Sequence, residues 1–355
     1  MKNLIRIVVW TLVAIVIQQG IFLYVENIYL ASDVKIQAEK VEEKETPKDN
    51  KQNEINIKDG VSKASVSSDG RFVAYIESSK LKVLDSNDNS EKEFQCEDGG
   101  DVVFYKWLTN ENNIIVIQKV QKKGGAYFEP VSFDAKKGET RQLADFNLNE
   151  LKIDTKNASD KVDNVVFSTA THSLYIKINK ANGKSDLYYA NVMNQLEKVR
   201  SNKEIGNIIV PTTSTNAVME MGNGATILNS PNNIEIPNAK VIKILGNDIN
   251  DNVYFGEEVS GNITKIYYST LNEGKIKWNM LILPKPVSKE DIIVDYSGKV
   301  YINDKSAGSV LELISKKSIK YEGDLLQSYS KGIISINGNK LTKYEIGENR
   351  ISIKQ

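Results

Sequence analysis

The sequence predicts an all-β fold, a β-propeller of about seven four-stranded blades. Three observations predict it. From residue 59 onward, apolar or β-branched runs of four to seven residues alternate with turns rich in Asn, Asp, Gly, Ser and Lys. No long window in this part of the chain has the periodicity of an amphipathic helix. A unit of strand, polar turn and strand recurs at the spacing that one blade needs.

The recurring turns predict the number and the positions of the blades. They begin at residues 84, 133, 189, 228, 268, 313 and 344. Their mean spacing is about 43 residues, and four strands with their turns need about 40–45. Strands precede six of the turns, at residues 72–76, 114–118, 174–178, 253–257, 300–303 and 333–336. We therefore expect seven blades in residues 59–355, with six or eight as the alternatives.

The last blade decides how the ring closes. The final turn ends only a few residues before the C-terminus, so we expect residues 351–353 to form the outer strand of this blade. The alternative is closure by residues 54–58, which precede the first repeat. A closed ring suits the composition, because each sheet packs both faces on neighbouring blades and few strand edges stay exposed.

The N-terminal region predicts a membrane anchor. Residues 7–25 contain no charged side chain, and as a helix they would span about 28 Å, close to the hydrocarbon core of a bilayer. Lys2 and Arg6 precede this stretch, so we expect the N-terminus in the cytoplasm and the C-terminal domain outside it. A cleaved signal peptide is the alternative. The length of the apolar run argues against it, and so does Tyr29 at the −3 position of the candidate cleavage site after Ala31.

A charged segment separates this anchor from the predicted propeller. Residues 38–53, AEKVEEKETPKDNKQN, are nearly devoid of apolar side chains. Such a segment cannot bury enough apolar surface to offset the entropy of ordering it. The chain is therefore predicted to have three regions: residues 1–25 form the cytoplasmic N-terminus and the anchor, 26–58 a charged flexible stalk, and 59–355 the propeller.

One copy of the repeat is well preserved. Residues 67–75, SSDGRFVAY, are followed by the strand LKVLD at residues 81–85. Together they resemble the TolB-type WD40-like repeat, S-P-D-G-K-x-I-A-Y, with Ser68 in place of the proline. The same repeats occur in the propeller of dipeptidyl peptidase IV-like proteins, whose hydrolase domain has no counterpart here. The resemblance implies a propeller and an extracytoplasmic location but no reaction, because Asp69 and Gly70 match structural turn positions.

Composition and single residues exclude several functional classes. Lys and Arg balance Asp and Glu at 46 each, so no excess of positive charge favours nucleic acid as a partner. Cys96 is the only cysteine, which excludes an internal disulfide and a cysteine-based zinc or iron–sulfur site. We expect this cysteine to be a buried or half-buried small residue.

No catalytic, cofactor or metal residue is predicted. A Ser-His-Asp triad would require His172, the only histidine, and no G-x-S-x-G motif is present. We expect His172 on a surface turn. The loops that begin at Asp85 and Asp248 resemble the first half of an EF-hand, but they lack the Gly and Glu of a calcium loop. Both carboxylates are expected to stabilise turns.

Aromatic side chains either line a binding face or fill the space between blades. We expect most of them to pack between blades, because large apolar residues fill that space. Along a strand, side chains alternate between the two faces, so Phe72 and Ala74 should face one neighbouring blade and Val73 and Tyr75 the other. The aromatic residues concerned are Trp107, Tyr127, Phe128, Tyr188, Tyr189, Tyr267, Tyr268 and Trp278.

These observations predict a non-enzymatic, membrane-anchored, extracytoplasmic propeller that binds a protein or a cell-envelope component. The contact would be a propeller face or the mouth of its channel. The alternative is a lyase or hydrolase with carboxylates converging in the channel. The richness in Ile, Asn and Lys is typical of AT-rich bacterial genomes, so we expect a single-pass protein of a Gram-positive cell membrane, without a cofactor or a nucleic-acid partner.

Overall fold

The structure is a computed structural model that describes residues 54–96, 98–109, 111–271 and 276–346, with six single helical positions near the N-terminus. The chain divides into two compact units, Met1–Asp49 and Asn50–Gln355. The second unit contains seven antiparallel sheets. We number these sheets as blades 1 to 7 in chain order, and the first strand of each blade is the innermost.

The predicted anchor and most of the predicted stalk lie outside the described residues. Within residues 7–25, the structure describes five positions, all helical and exposed: Trp10, Thr11, Ile15, Gln18 and Gln19. In the described part of the chain, no helix has the length and the apolar character that a membrane crossing requires.

The first three blades follow a short N-terminal strand. In chain order, their strands are β1 (Glu54–Asn56); in blade 1, β2 (Ser62–Val66), β3 (Phe72–Glu77), β4 (Lys80–Asp85) and β5 (Glu91–Glu93); in blade 2, β6 (Asp101–Trp107), β7 (Asn113–Lys122), β8 (Gly125–Asp134), β9 (Glu139–Gln142) and β10 (Ile153–Thr155); and in blade 3, β11 (Lys161–Phe167), β12 (Leu174–Asn179), β13 (Ser185–Ala190) and β14 (Leu196–Lys203). Both β9 and β10 pair with β8, so the outer strand of blade 2 is split in two.

The remaining blades follow the same order, with a single 3-10 turn at Lys289–Asp291 before blade 6. Among the described residues, blade 4 has three strands rather than four. The strands are, in blade 4, β15 (Ile208–Ile209), β16 (Val218–Met221) and β17 (Gly224–Ile227); in blade 5, β18 (Ile242–Asn247), β19 (Asn252–Val259), β20 (Asn262–Thr270) and β21 (Asn279–Val287); in blade 6, β22 (Ile292–Val294), β23 (Val300–Asp304), β24 (Ser309–Glu312) and β25 (Ser318–Lys320); and in blade 7, β26 (Asp324–Tyr329), β27 (Gly332–Asn337) and β28 (Lys340–Glu345).

The ring is closed by the N-terminal strand. β1 pairs antiparallel with β28, with Ile55 opposite Leu341, and supplies the fourth strand of blade 7. The predicted outer strand, residues 351–353, lies outside the described residues, and β1 occupies the outer edge of β28. The physical reason is burial, since Ile55 and Ile57 are 4% and 5% exposed between blades 7 and 1. The first described strand of the propeller begins at Glu54, within the segment 26–58 that was predicted to form the stalk.

Seven apolar clusters hold the blades together. Each cluster combines residues of two consecutive blades, and the cluster that joins blade 7 to blade 1 completes the circuit. Phe72 and Ala74 belong to the cluster of blades 1 and 2, whereas Val73 and Tyr75 belong to that of blades 7 and 1. The predicted alternation of faces in β3 is confirmed. Both faces of each blade are buried. The strands therefore contain short, continuous runs of apolar residues.

The predicted repeat matches the observed blades. Each of the seven turns follows the third strand of its blade, and each of the six predicted strands is a second strand. The second strand of blade 4, β16, was not predicted, because its short sequence VMEM has no clear strand pattern. The all-β, seven-bladed architecture is confirmed.

The contacts of the best-preserved turn, which precedes β3, explain its sequence. The Ser67 hydroxyl donates to Asp69 Oδ1 at 2.6 Å and accepts from the Phe72 N–H at 2.9 Å. Gly70 has a φ of +77°, and a Cβ at this position would lie 2.9 Å from the Tyr329 ring of blade 7. The Asp-Gly pair therefore sets both the hairpin and the close approach of blades 1 and 7.

Candidate binding surfaces

His172 lies where the sequence predicts, on an exposed turn between β11 and β12. Its ring is edge-on to the Phe167 ring, with the centroids 5.9 Å apart. Within the described ranges, no three His, Cys, Asp or Glu side chains form a group that could hold a metal ion.

The carboxylates of Asp85 and Asp248, at the start of the two loops that resemble half an EF-hand, form hydrogen bonds within the protein. Arg71 Nε donates to both oxygens of Asp85 at 3.0 Å, and Arg71 Nη2 donates to Oδ2 at 2.6 Å. These hydrogen bonds lower the pKa of Asp85. Asp248 accepts hydrogen bonds from the Asn252 N–H at 3.0 Å and from the Tyr254 hydroxyl at 2.9 Å. The interpretation of both residues as turn formers agrees with these contacts.

Most aromatic candidates pack between blades, as predicted. The adjacent Tyr188 and Tyr189 enter the clusters on opposite sides of blade 3, and Tyr267 and Tyr268 do the same in blade 5. Trp107, Phe128 and Trp278 also belong to such clusters. Tyr127 is buried beneath the ammonium groups of Lys122 and Lys152. Half-buried Cys96 packs against the cluster of blades 1 and 2, and burial raises the pKa of its thiol. These side chains therefore pack against other residues of the propeller.

A cavity of about 350 Å³ lies at the mouth of the central channel. It is lined by the first strands of blades 2 to 6 and by the loops that follow them. Three of these strands, β6, β11 and β18, have a register shift that indicates a β-bulge. Bulges redirect side chains and are frequent beside binding sites. The channel mouth is therefore one candidate site.

Lys106, at the end of β6, is the cationic residue of this cavity. Its Nζ lies 3.3 Å from Asn164 Oδ1 on the neighbouring β11. Partial desolvation in the cavity lowers the pKa of Lys106 to about 8, although the residue as a whole is exposed. Tyr296 is the other titratable residue in the lining. The several convergent carboxylates that a lyase or hydrolase site would need do not line this cavity in the described part of the chain.

A larger cleft, of about 1730 Å³, lies beside the outer part of blade 4. The segment after β17 makes only an isolated bridge, from Thr226 to Asn233, where other blades have a fourth strand. Trp278 borders the cleft and donates from Nε1 to the Glu235 carbonyl at 3.1 Å. The cleft follows from the incomplete sheet of blade 4.

The split outer strand of blade 2 displays an apolar loop. Between β9 and β10, residues 143–151 leave the sheet, and Phe146 and Leu148 are each 84% exposed. Asp145 Oδ1 accepts hydrogen bonds from the N–H groups of Asn147 and Asn149 at 2.8 and 2.9 Å. Leu148 has a φ of +64°, a conformation that costs a bulky residue energy. The loop holds two large apolar side chains in solvent by means of its own hydrogen bonds.

A turn of blade 3 extends this apolar surface. Val192 and Met193, between β13 and β14, are 60% and 50% exposed. The next residue, Asn194, donates from Nδ2 to the Ala144 carbonyl at 2.8 Å and so ties the two loops together. We call Phe146, Leu148, Val192 and Met193 the rim patch. Exposed apolar side chains grouped on linked loops are candidates for an interaction site.

No protein-family model and no curated protein matches the chain. Among solved structures, the β-propeller domain of Cps50 (Swd1) from Myceliophteria thermophila is similar, with a TM-score of 0.53 and 7% identity over 83% of this chain and 100% of that chain. Hsv2p of Kluyveromyces lactis gives a TM-score of 0.47 and 11% identity over 79% and 90% of the two chains. The WD40 domain of SCAP from fission yeast gives 0.40 and 11% over 80% and 84%.

Residues 54–346 form a seven-bladed β-propeller. The 7% identity with the Cps50 (Swd1) domain shows the fold of the propeller alone. Its binding residues must therefore be argued from its own surface. Sequence reasoning missed the rim patch, although one signal was present: the interval from the turn at residue 133 to that at residue 189 is the longest of the repeat. The loop in the split strand of blade 2 causes that excess.

Proposed function

We propose that the propeller is a non-enzymatic scaffold that binds a protein partner through the rim patch. The observation that carries this proposal is the exposure of Phe146 and Leu148, at 84% each, on a loop that its own hydrogen bonds fix. Large apolar side chains in solvent are unfavourable unless a partner covers them. A strained, exposed leucine is hard to explain by the packing of the isolated propeller.

The energetics of the patch favour binding. Covering a fully exposed Leu or Phe side chain contributes about 1.5–3 kcal/mol each. Because the Asp145 carboxylate already holds the loop, little conformational entropy is lost when a partner binds. At protein interfaces, a few residues that enter well-packed, desolvated pockets carry most of the binding energy.

The charges of the loop favour a protein over a lipid surface as the binding partner of the rim patch. Its acidic residues, Asp145 and Glu150, outnumber its one basic residue, Lys152, so residues 143–152 carry a net charge of −1. Bacterial membrane surfaces are anionic and attract segments rich in Lys and Arg. A convex, slightly acidic apolar loop fits a concave apolar pocket on a protein.

We further propose that residues 7–25 anchor the propeller in the cell membrane and that residues 26–53 form the stalk. The support is the uncharged stretch itself and the preceding Lys2 and Arg6. Resemblance of the turn at residues 67–75 to TolB-type repeats supports an extracytoplasmic propeller. The composition supports a Gram-positive host.

In-cell photo-crosslinking tests the docking proposal. A photoreactive phenylalanine analogue replaces Phe146 in the full-length protein in the cells that produce it. The control carries the analogue at Val259, which is 51% exposed at the end of β19, outside the patch. We expect one protein adduct from position 146, none from 259, and loss of the adduct in a Leu148→Ser background. Adducts to lipid alone, or the same adducts from both positions, would overturn the proposal.

A further inference from the structure

The channel mouth contains the positive charge of Lys106. Within the part of the chain that the structure describes, no Asp or Glu side chain lies within 4.0 Å of Lys106 Nζ, and Asn164 is its hydrogen-bond partner. Two lysines elsewhere in the propeller are paired with carboxylates: Lys177 on β12 lies 2.9 Å from an Asp163 oxygen, and Lys289, before blade 6, lies 2.7 Å from a Glu220 oxygen. Lys106 differs from them in facing an open cavity. A partly desolvated amine is stabilised by an anion that enters the cavity.

The position of Lys106 follows from the bulges. In β6 and β11 the register shifts between Val102 and Phe104 and between Val162 and Asn164. After these shifts, the Lys106 amine meets the Asn164 amide across the boundary of blades 2 and 3. In blade 3, Asp163 at the bulge pairs with Lys177 and is therefore not available to Lys106. The bulged strands place one cation and one amide in the cavity, whereas Asp163 pairs with Lys177.

The rest of the lining is neutral. Thr212 and Tyr296 hydroxyls lie 3.0 Å apart, and Asn207 and Asn247 add amide groups. Phe167 and other residues of the inner strands supply apolar walls. A single positive charge among neutral donors and apolar walls matches a single negative charge on a small apolar body. A phosphate, with close to two negative charges at neutral pH, is usually bound by several cations or N–H groups.

We propose that the channel mouth binds a carboxylate, which forms an ion pair with Lys106 while its apolar body occupies the cavity of about 350 Å³. Cavities of about 300–1,000 Å³ are typical of small-molecule sites. The carboxylate comes either from a free small acid or from the C-terminus of a peptide. This site is separate from the rim patch, so it goes beyond the scaffold function and does not depend on it.

Calorimetric titration of the purified full-length protein tests the site. The probes are N-acetyl-leucine, the peptide acetyl-Ala-Ala-Leu with a free C-terminus, and the same peptide with an amidated C-terminus. We expect saturable binding of at least one free acid and a loss of about tenfold or more with the amide or with Lys106→Met. Binding of N-acetyl-leucine identifies a small acid as sufficient, and binding of the peptide alone identifies a peptide C-terminus.

Control variants separate this site from a change in folding. Lys106→Arg keeps the charge and should retain most of the affinity. Lys137→Met removes a charge on the exposed turn after β8 and should change the affinity less than about twofold. Rim variants at Phe146 should bind the acid as the unmodified protein does. Two results with the peptides and the variant would overturn the proposal: equal binding of the amidated peptide, or equal affinity of the Lys106→Met variant and the unmodified protein for the acids. Tighter binding of inorganic phosphate than of either acid would also overturn it, and so would the absence of binding of every probe at about 10 mM.

Discussion

The side-chain amide of Gln327 joins the last blade to the first. Its Oε1 accepts a hydrogen bond from the Val66 N–H at 2.9 Å, and its Nε2 donates to the Val66 carbonyl at 2.8 Å. Gln327 lies on β26 and Val66 on β2, the innermost strands of blades 7 and 1. One amide therefore satisfies both backbone groups of a residue that is 2% exposed. The outer edge of the same junction is closed by β1.

Gln327→Ala should destabilise the ring. The substitution leaves the N–H and the carbonyl of Val66 without these partners in a buried position, which costs about 1–3 kcal/mol of unfolding free energy. Urea denaturation of the full-length protein measures this change. Gln95→Ala, at an exposed position beside β5, is the control and should change the free energy by less than about 0.5 kcal/mol. Equal stability of both variants would show that Gln327 does not contribute to closure.

Ile55→Ala tests closure by the N-terminal strand. Removing this buried side chain should cost about 2–4 kcal/mol, because it opens a cavity between blades 7 and 1. Asn56→Ala, one residue further along the same strand but exposed, is the matched control. Thermal and urea unfolding report both. If the two variants are equally stable, another segment, such as residues 351–353, closes blade 7.

The number of blades could be predicted because every blade has a polar turn after its third strand. The sequence reveals these turns as clusters of Asn, Asp and Gly. Strand β1 was harder to assign, since the pattern EINIK has only two apolar positions and adjoins a charged segment. Its burial depends on the hydrophobic faces of two blades that lie far apart in sequence. No local signal carries that information.

The candidate sites depend on backbone features that a sequence does not display. Phe146 and Leu148 alternate with asparagines as in a half-buried strand, yet Leu148 has a positive φ and the segment forms a turn. Lys106 faces the channel after a bulge in β6 that shifts the register of the strand. Without that shift, strand alternation would assign the residue to the wrong face.

Lys106 should make stability depend on pH in the alkaline range. The pKa of Lys106 is about 8 in the folded chain, against an ordinary value of 10.5. Between these values the unfolded chain binds more protons, so the folded state gains stability as the pH rises. Lys106→Met should therefore be more stable than the unmodified protein at pH 7, and the difference should shrink between about pH 8 and 10.5. Urea unfolding across this range measures it. A difference that stays constant with pH would contradict the assigned environment of the amine.

Asp85 should make stability depend on pH in the acidic range. The Arg71 hydrogen bonds lower the pKa of Asp85 below its ordinary value of 3.8. Its stabilising contribution is thus fully present above about pH 4–5 and is lost as the pH falls through the lower, folded-state pKa. Asp85→Asn should cost about 1–3 kcal/mol at pH 7, and less as the pH falls toward 2. Unfolding of both proteins at several pH values checks this, and a cost that grows on acidification would contradict it.

The affinity of the crosslinked partner for the propeller tests the central claim most directly. The partner identified at position 146 is purified, and its binding to the full-length protein is measured with Phe146→Ser, Leu148→Ser and Val259→Ser variants. If the rim patch is the docking surface, each patch variant weakens binding by about tenfold or more, and Val259→Ser changes it less than about twofold. Unchanged affinity in both patch variants, with intact folding, would contradict the account.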